Sequence, residues 1–386
     1  MVRPTPNQVG RNTTVIVGAG APGGRTTGTR IEEVRGLAAP GETSTMKAAI
    51  YQRIGDPSVL EVVDRPVPEP GPGEVLVRVA VSGVNPTDWK SRQGFGSVVL
   101  PEGGWQIPHQ DGAGIVEAVG TGVDATLVGE RVWIWEAAWR RPWGTAAEYT
   151  VVPARQVVRL GAASFDLGAS LGIPFLTAHR CLTVGETMPD RLDAGALRGR
   201  TVLVQGGAGA VGNAAIQLAR WADATVIATV SSTEKARLAA AAGASHVINY
   251  RDEDVVAEVR KIAPDGVDVI VEVAAVHNTE IDRQVIGAAG TVAVYADDGG
   301  EPLTIPIRPM MVSNVRWQFV LVYTLPAVAK AHAVEDVATA AATGVLRVGA
   351  EAGLPLHHYP LSEIAKAHQA VQDGAVGKVL VVTGTR

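Results

Sequence analysis

A glycine-rich bend between an apolar run and an amphipathic segment constrains the fold of this 386-residue chain most strongly. The apolar residues 202–204 lead into the run GGAGAVG at 206–212, and residues 213–221 follow with helical periodicity. A second apolar run at 225–230 completes a strand–helix–strand unit. This order is that of a dinucleotide-binding turn, whereas a GxGxxG pattern without flanking strands is a weak signal.

Each glycine of the bend has an expected role. Gly207 permits the tight turn, Gly209 lets the backbone approach a pyrophosphate, and Gly212 lets the helix and strand pack closely. The phosphates are then expected on the free amides of Ala210 and Val211, at the positive end of the helix. A purely structural glycine turn is the alternative.

The end of the second strand discriminates between the two nicotinamide cofactors. Sites specific for NAD place a carboxylate there, about 20 residues beyond the glycines, to bind the ribose hydroxyls. This chain has Ser231 instead, with Lys235 close behind it and Tyr250 at the end of the next strand. These polar groups suit a 2′-phosphate, so the sequence predicts NADPH. The alternative is that Lys235 is a solvated helix residue and Tyr250 the edge of a core.

Composition excludes several other classes of protein. The net charge of −5 gives no basic surface for nucleic acid or for an anionic membrane. No apolar run approaches the ~20 residues of a membrane span. The one cysteine, Cys181, excludes an intrachain disulfide and a multi-cysteine zinc site, and it suits a reducing compartment. We therefore expect a globular cytoplasmic protein, with neither nucleic acid nor membrane as a partner.

The pattern of apolar runs changes along the chain. Residues 1–45 are rich in Thr, Gly, Pro and Arg and are expected to form a disordered or non-native leader. Short β-type runs over 46–165 suggest a small, mostly antiparallel barrel or sandwich. Over 166–308, apolar strands alternate with alanine-rich helical stretches, which is typical of a doubly wound parallel sheet. Residues 309–386 add a helix and return to β character at 378–382.

Several segments beyond the glycine bend carry a resemblance to a known family. They are GVNPTD at 83–88, DGAGIV at 111–116, GIPFLTA at 172–178, HVINYR at 246–251, VEVA at 271–274, PLSEI at 360–364 and GKV at 377–379. From Met46 onward the chain resembles the medium-chain dehydrogenase/reductase superfamily, in its zinc-free quinone oxidoreductase and zeta-crystallin branch. The resemblance implies an α/β protein. A GroES-like β-barrel catalytic domain would comprise 46–165 and 309–386, with a Rossmann domain at 166–308 between them and the active site in the intervening cleft.

The same resemblance suggests which residues serve the reaction. Zinc-dependent relatives carry a cysteine ligand where Asn85 falls and a Gly-His-Glu segment that is replaced here at 109–111, so no metal is expected. Asn85 is the candidate for a neutral donor that orients the acceptor carbonyl; a plain Asn-Pro turn is the alternative. Thr177, Asn278 and Lys378 match positions near the cofactor.

A reductase without a Lewis acid needs an electron-poor acceptor. Quinones qualify, because hydride addition gives an aromatic product that solvent can protonate. Aligning nicotinamide and acceptor can lower the barrier by ~7 to 11 kcal/mol, more than the ~10² to 10⁴-fold of general acid catalysis. We therefore predict an NADPH-dependent, zinc-independent quinone reductase that works as a homodimer or larger homo-oligomer. The alternatives are an enone or enoyl-thioester reductase on the same fold, and a zeta-crystallin-like NADPH-binding protein with a structural or RNA-binding role.

Overall fold

The chain alternates short strands and helices. The computed structural model describes residues 44–95, 100, 104–297 and 300–384, and all but the last two residues of the predicted leader lie outside them. The strands are β1 (Thr45–Ile50), β2 (Glu61–Pro66), β3 (Glu74–Val84), β4 (Asp111–Val119), β5 (Arg131–Ile134), β6 (Tyr149–Pro153), β7 (Val157–Arg159), β8 (Thr201–Val204), β9 (Thr225–Val230), β10 (His246–Asn249), β11 (Val267–Glu272), β12 (Ile286–Val294), β13 (Arg316–Phe319), β14 (Leu356–Pro360) and β15 (Lys378–Val382). The helices are α1 (Pro86–Arg92), α2 (Phe165–Thr183), α3 (Ala210–Trp221), α4 (Thr233–Ala242), α5 (Val255–Ile262), α6 (Ala275–Val285), α7 (Ile307–Ser313), α8 (Ala327–Ala342) and α9 (Ile364–Gln372).

Six strands form a parallel sheet in the order β10-β9-β8-β11-β12-β13. The four central strands are short runs of mostly buried aliphatic residues, as expected of a parallel sheet that is covered on both faces. The strand order reverses between β8 and β11, which is the order of a doubly wound dinucleotide-binding fold. The predicted Rossmann sheet is therefore confirmed.

The parallel sheet extends further along the chain than the sequence-based division allows. β13 pairs with β12, although the boundary was expected after residue 308. Helix α8, which follows β13, packs on α2. The predicted boundary is too early. Pro306 precedes only the short helix α7, and the chain then returns to the edge of the same sheet as β13.

A second sheet combines strands from both ends of the chain, as the GroES-like prediction requires. Its order is β14-β15-β3-β4-β5-β7, with β6 also paired to β3. The β14–β15 pair is parallel and the other pairs are antiparallel. The predicted barrel is not closed within the described residues, because the order runs from β14 to β7 without returning. β1 and β2 form a separate pair, and Ala48 of β1 makes only an isolated bridge to Ala147 before β6.

Helix α2 packs against both sheets and is almost entirely buried. Its N-cap is Ser164, whose hydroxyl accepts from the amide of Leu167 at 3.1 Å. Gly172 brings the helix close to β4, since a Cβ there would overlap the carboxylate of Asp111. Cys181 is buried on this helix, and burial raises the pKa of its thiol to about 12. None of the described helices, α2 included, is long and apolar enough to cross a membrane.

Candidate functional site

The glycine bend, residues 206–212, leads from β8 into α3. Gly206 has a φ of +70°, a left-handed conformation that favours glycine. A Cβ on Gly207 would lie 2.8 Å from the Cβ of Ala228 on β9, and a Cβ on Gly212 would overlap the carbonyl of Gly206. The tight turn is therefore made at Gly206 and not at Gly207 as predicted. Gly207 makes room for the neighbouring strand, and Gly212 lets the helix pack closely.

The start of α3 presents bare backbone. Gly209 is the N-cap and is exposed, and the amides of Ala210 and Val211 follow in the first turn. Within 4 Å, a Cβ on Gly209 would meet only the Gly206 carbonyl oxygen, at 3.4 Å, among the described atoms. Free amides at the positive end of a helix attract an anion, and the open space lets one approach. The bend therefore fits the pyrophosphate of a dinucleotide.

The ends of β9 and β10 bring the predicted phosphate-binding residues to one edge of the sheet. Lys235 Nζ lies 3.0 Å from Ser231 Oγ, and the Lys235 amide donates to Ser232 Oγ at 3.2 Å, which caps α4. Tyr250 follows β10, where its amide donates to the Val230 carbonyl at 3.0 Å. The Tyr250 side chain is half exposed. An ammonium, a hydroxyl and a phenol thus stand where a carboxylate would select NAD.

Asn85 lies at the start of α1 within a set of buried side chains, here named the Asn85 cluster: Asn85, Asp88, Asp111 and Lys378. Asn85 Nδ2 donates to Asp111 Oδ2 at 2.8 Å, and Lys378 Nζ donates to Asn85 Oδ1 at 2.7 Å. The backbone N–H of Asn85 donates to Asp88 Oδ2 at 2.7 Å. Because the side-chain oxygen faces a donor and the nitrogen an acceptor, the Asn85 amide has one orientation.

The charges of the Asn85 cluster perturb one another. Burial raises the pKa of Asp88 to about 8, and burial also raises the pKa of Asp111. Burial lowers the pKa of the Lys378 ammonium, while the charges of Asp111 and Asp88 act in the opposite sense. The Ile173 amide of α2 donates to both oxygens of Asp111, at 2.9 and 3.0 Å. The cluster is a tightly packed group that combines a buried cation with two carboxyl groups.

Thr177 and Asn278, two further predicted site residues, are not members of this cluster, whereas Lys378 is. Thr177 is buried on α2. Asn278 is half-buried on α6, where its Nδ2 lies 3.1 and 3.2 Å from the two carboxylate oxygens of Glu272. Lys378, which was expected near the cofactor, contacts Asn85 because β15 pairs with β3.

Sequence reasoning gave no role to Asp88, Asp111 or Glu272. The signal for Glu272 was present, since it is an acidic residue at the end of the apolar run 267–273. Asp88 and Asp111 lie within segments that carried the family resemblance.

The fold and site define a class of two-domain dehydrogenases and reductases that place a dinucleotide at the carboxyl edge of a Rossmann sheet. Family models match both parts of this arrangement. Residues 71–162 match the alcohol dehydrogenase GroES-like domain, and residues 210–339 match the zinc-binding dehydrogenase domain.

Two relatives match along almost their whole length. The quinone oxidoreductase of Homo sapiens is 31% identical over 348 residues, which cover 87% of this chain and 98% of the relative. The quinone oxidoreductase of Lama guanicoe is 31% identical over 344 residues, covering 87% and 97%. The chain therefore belongs to the quinone oxidoreductase branch of the medium-chain dehydrogenase/reductase superfamily, as its sequence motifs indicated.

Solved structures agree with this assignment. A mycobacterial protein solved in complex with NADPH is 27% identical with a TM-score of 0.72, and the match covers 87% of this chain and 99% of that one. A quinone oxidoreductase of Pseudomonas syringae pv. tomato is 27% identical with a TM-score of 0.71 and the same coverage.

The zinc named in one domain model does not suit the side chains found here. Zinc sites are formed by several convergent Cys, His, Asp or Glu side chains. Among the described residues, no group of three or more of these could hold a metal ion. Both ring nitrogens of His109 have partners, since Nδ1 lies 2.8 Å from Ser82 Oγ and Nε2 lies 3.0 Å from His368 Nε2. The described residues therefore do not fit a zinc ion.

Proposed function

We propose that this chain is an NADPH-dependent, zinc-independent quinone oxidoreductase. It would act on a quinone or a similar electron-poor carbonyl compound. The observation that carries the proposal is the Asn85 amide, held in one orientation by Lys378 and Asp111 at the position where zinc-dependent relatives have a ligand. The similarity to quinone oxidoreductases of two mammals supports the choice of acceptor.

Three groups of residues would hold the cofactor. The amides of the glycine bend suit the pyrophosphate, and Ser231 with Lys235 suits the 2′-phosphate, with Tyr250 beside them. Thr177 and Asn278 are the candidates for the nicotinamide end. NADPH, when bound, supplies the hydride. The NADPH in the mycobacterial relative supports this assignment over NADH.

Asn85 would orient the acceptor carbonyl. Its Nδ2 carries two N–H groups, and Asp111 receives one of them. We expect the second to face the acceptor oxygen, and the bond from Lys378 prevents the amide from turning its oxygen toward the acceptor. Removing a single fixed donor of this kind lowers turnover by about 10² to 10³-fold in well-studied enzymes. Solvent can protonate the reduced quinone, so no further acid is required.

Rapid-mixing kinetics would test the function. We expect NADPH to be oxidised in the presence of a quinone, with NADH much slower and with no loss of rate when a chelator is added. The same preparation is then given 2-alkenals and crotonyl thioesters. Faster turnover of these compounds than of any quinone would replace the proposal with an enone or enoyl-thioester reductase, and loss of activity with the chelator would contradict a zinc-independent reaction.

The edge of the parallel sheet suggests how copies of the chain associate. β13 pairs with β12 on one side only among the described strands. The exposed apolar side chains Phe319 and Leu321 lie at this edge, with Met311 and Val312 on the preceding helix. Open strand edges and apolar patches favour association. We therefore expect a cytoplasmic homodimer or larger homo-oligomer, and a monomer in sedimentation velocity experiments at micromolar concentration would contradict it.

A further inference from the structure

A series of hydrogen bonds, buried beyond its first member, follows the carboxyl edge of the parallel sheet from the glycine bend toward α6. The Gly206 amide donates to Thr229 Oγ1 at 3.3 Å. Thr229 Oγ1 donates to Gln205 Oε1 at 2.6 Å, and Gln205 Nε2 donates to Asp282 Oδ1 at 3.1 Å. Because the Gly206 amide can only donate, the hydroxyl proton of Thr229 is left for Gln205, and this orients the Gln205 nitrogen toward Asp282.

The series ends at two carboxyl groups that are hydrogen-bonded to each other. Asp282 of α6 and Glu272 of β11 are both fully buried. Two ionised carboxylates cannot form a hydrogen bond, so one of them carries a proton. Glu272 is the acceptor, since it also receives the Ala274 amide and Asn278 Nδ2. Asp282 Oδ2 is buried and receives no donor from any described residue, which suits an oxygen that itself donates.

The proton on Asp282 also sets the net charge of the Asp282–Glu272 pair. Burial first, and then the charge of Glu272, raise the pKa of Asp282 to about 9. The pair therefore holds one negative charge at neutral pH. A pair with two charges would oppose a diphosphate at the same edge of the sheet, because like charges repel strongly where water is excluded.

We infer that Asp282 and Glu272 share one proton and are positioning residues for the cofactor. The pair fixes Asn278 directly, and it fixes the glycine bend through Gln205 and Thr229. Both ends of the dinucleotide site are thus tied to one buried acid. The inference rests on the proposed function, because it takes NADPH as the group that these residues hold.

Substitutions of Asp282 test the inference through the NADPH dissociation constant. Asp282→Asn keeps the geometry, because its amide nitrogen can donate to Glu272 while its oxygen accepts from Gln205. We expect a dissociation constant within about twofold of the wild type. Asp282→Leu removes both groups, and we expect binding about tenfold weaker. Thr229→Val, which keeps the side-chain shape, should also weaken binding several-fold and serves if Asp282→Leu does not fold.

Infrared spectroscopy locates the proton itself. The wild type should show the carbonyl stretch of protonated, buried carboxylic acids. Asp282→Asn should lose the part of this band that belongs to Asp282, while Asp88, whose pKa burial also raises, keeps its own contribution. Glu280→Gln, at an exposed position on the same helix, is the matched control and should retain both the band and the affinity. The inference is overturned if the band is the same in the wild type and in Asp282→Asn, if Asp282→Asn binds NADPH as weakly as Asp282→Leu, or if Asp282→Asn binds about tenfold more tightly. Failure of the proposed function looks different, since the wild type would then not bind NADPH while the band could still be present.

Discussion

The glycine bend and the Asn85 cluster differ in the chemical groups that form them and in their exposure to water. The bend offers backbone amides and open space, and its left-handed residue is Gly206. The cluster holds an ammonium and two carboxyl groups, on Lys378, Asp88 and Asp111, that are almost inaccessible to water. Buried charges need matched partners, whereas amides at a helix start remain hydrated until a ligand arrives. Substitutions in the bend should therefore weaken ligand binding, and substitutions in the cluster should destabilise the fold.

The largest effect is expected for Lys378→Met. The variant leaves the Asp111 carboxylate, 3.8 Å from the ammonium in the wild type, buried without its cation. Removing one partner of a buried ion pair typically lowers the free energy of unfolding by about 3 to 5 kcal/mol. Urea denaturation measures this change. Lys366→Met is the control, because Lys366 forms an exposed pair with Glu363 and should change stability by less than about 1 kcal/mol. Equal losses in the two variants would show that the Asn85 cluster does not depend on its cation.

Two substitutions within the bend separate its packing from its ligand binding. The Cβ of Gly212→Ala would overlap the Gly206 carbonyl, so we expect a loss of about 1 to 3 kcal/mol in the free energy of unfolding. The Cβ of Gly209→Ala projects into open space, so its stability should stay within about 0.5 kcal/mol of the wild type. NADPH titration should nevertheless show binding about tenfold weaker, because the methyl group separates the phosphate from the backbone. A Gly209→Ala variant that binds normally would remove the pyrophosphate from this position.

The same contrast explains what the sequence could predict. The glycine bend is seven consecutive residues between two local patterns, and each strand of the parallel sheet is a short apolar run. Both could be found by reading the chain in order. The Asn85 cluster could not, because Asn85 is separated from Asp111 by 26 positions and from Lys378 by 293. Only the pairing of β15 with β3 brings Lys378 to Asn85.

Two details of the fold could not be predicted from the sequence, for related reasons. Barrel closure depends on which strands become edges, and no local pattern shows that β14 adds outside β15. The boundary of the Rossmann domain was placed too early because α7 separates β13 from the strands before it. The shared proton of Asp282 and Glu272 was likewise hidden, since it depends on the packing of α6 against β11. Local periodicity predicts elements well and long-range pairing poorly.

The buried histidines beside the Asn85 cluster should contribute a loss of stability in acid. Burial, followed by the charge of Arg92, lowers the pKa of His368 to about 3, and burial lowers the pKa of His109 well below its usual value. An unfolded histidine titrates near about 6.5, so the unfolded state binds more protons between that pH and the folded pKa. The contribution of His368 to stability is therefore lost as the pH falls through this window, by about 1.4 kcal/mol at pH 5.5, while Asp88, whose pKa is raised, contributes in the opposite sense.

Urea midpoints between pH 7.5 and 5.5 measure this loss. His368→Gln should remove the histidine contribution, so on going from pH 7.5 to 5.5 its stability should change more favourably than that of the wild type, by about 1.4 kcal/mol. His277→Gln, at an exposed position, should behave as the wild type. The glycine bend has no titratable side chain and should add nothing to the slope. A slope that is the same in all three proteins would show that His368 is not the group that titrates.

The smallest effect is expected for Lys235→Met, in the candidate site for the 2′-phosphate of the cofactor. Lys235 is only half-buried, so solvent screens its charge and its contribution to binding should be about 1 kcal/mol. We expect NADPH to bind about fivefold more weakly, NADH to bind as before, and the free energy of unfolding to stay within about 0.5 kcal/mol. Lys261→Met, at an exposed lysine paired with Glu258, is the control. Because the interaction is partly exposed, the difference between the cofactors should shrink as salt is added. If both cofactors lose affinity equally, Lys235 acts on something common to both, and the 2′-phosphate must be held elsewhere.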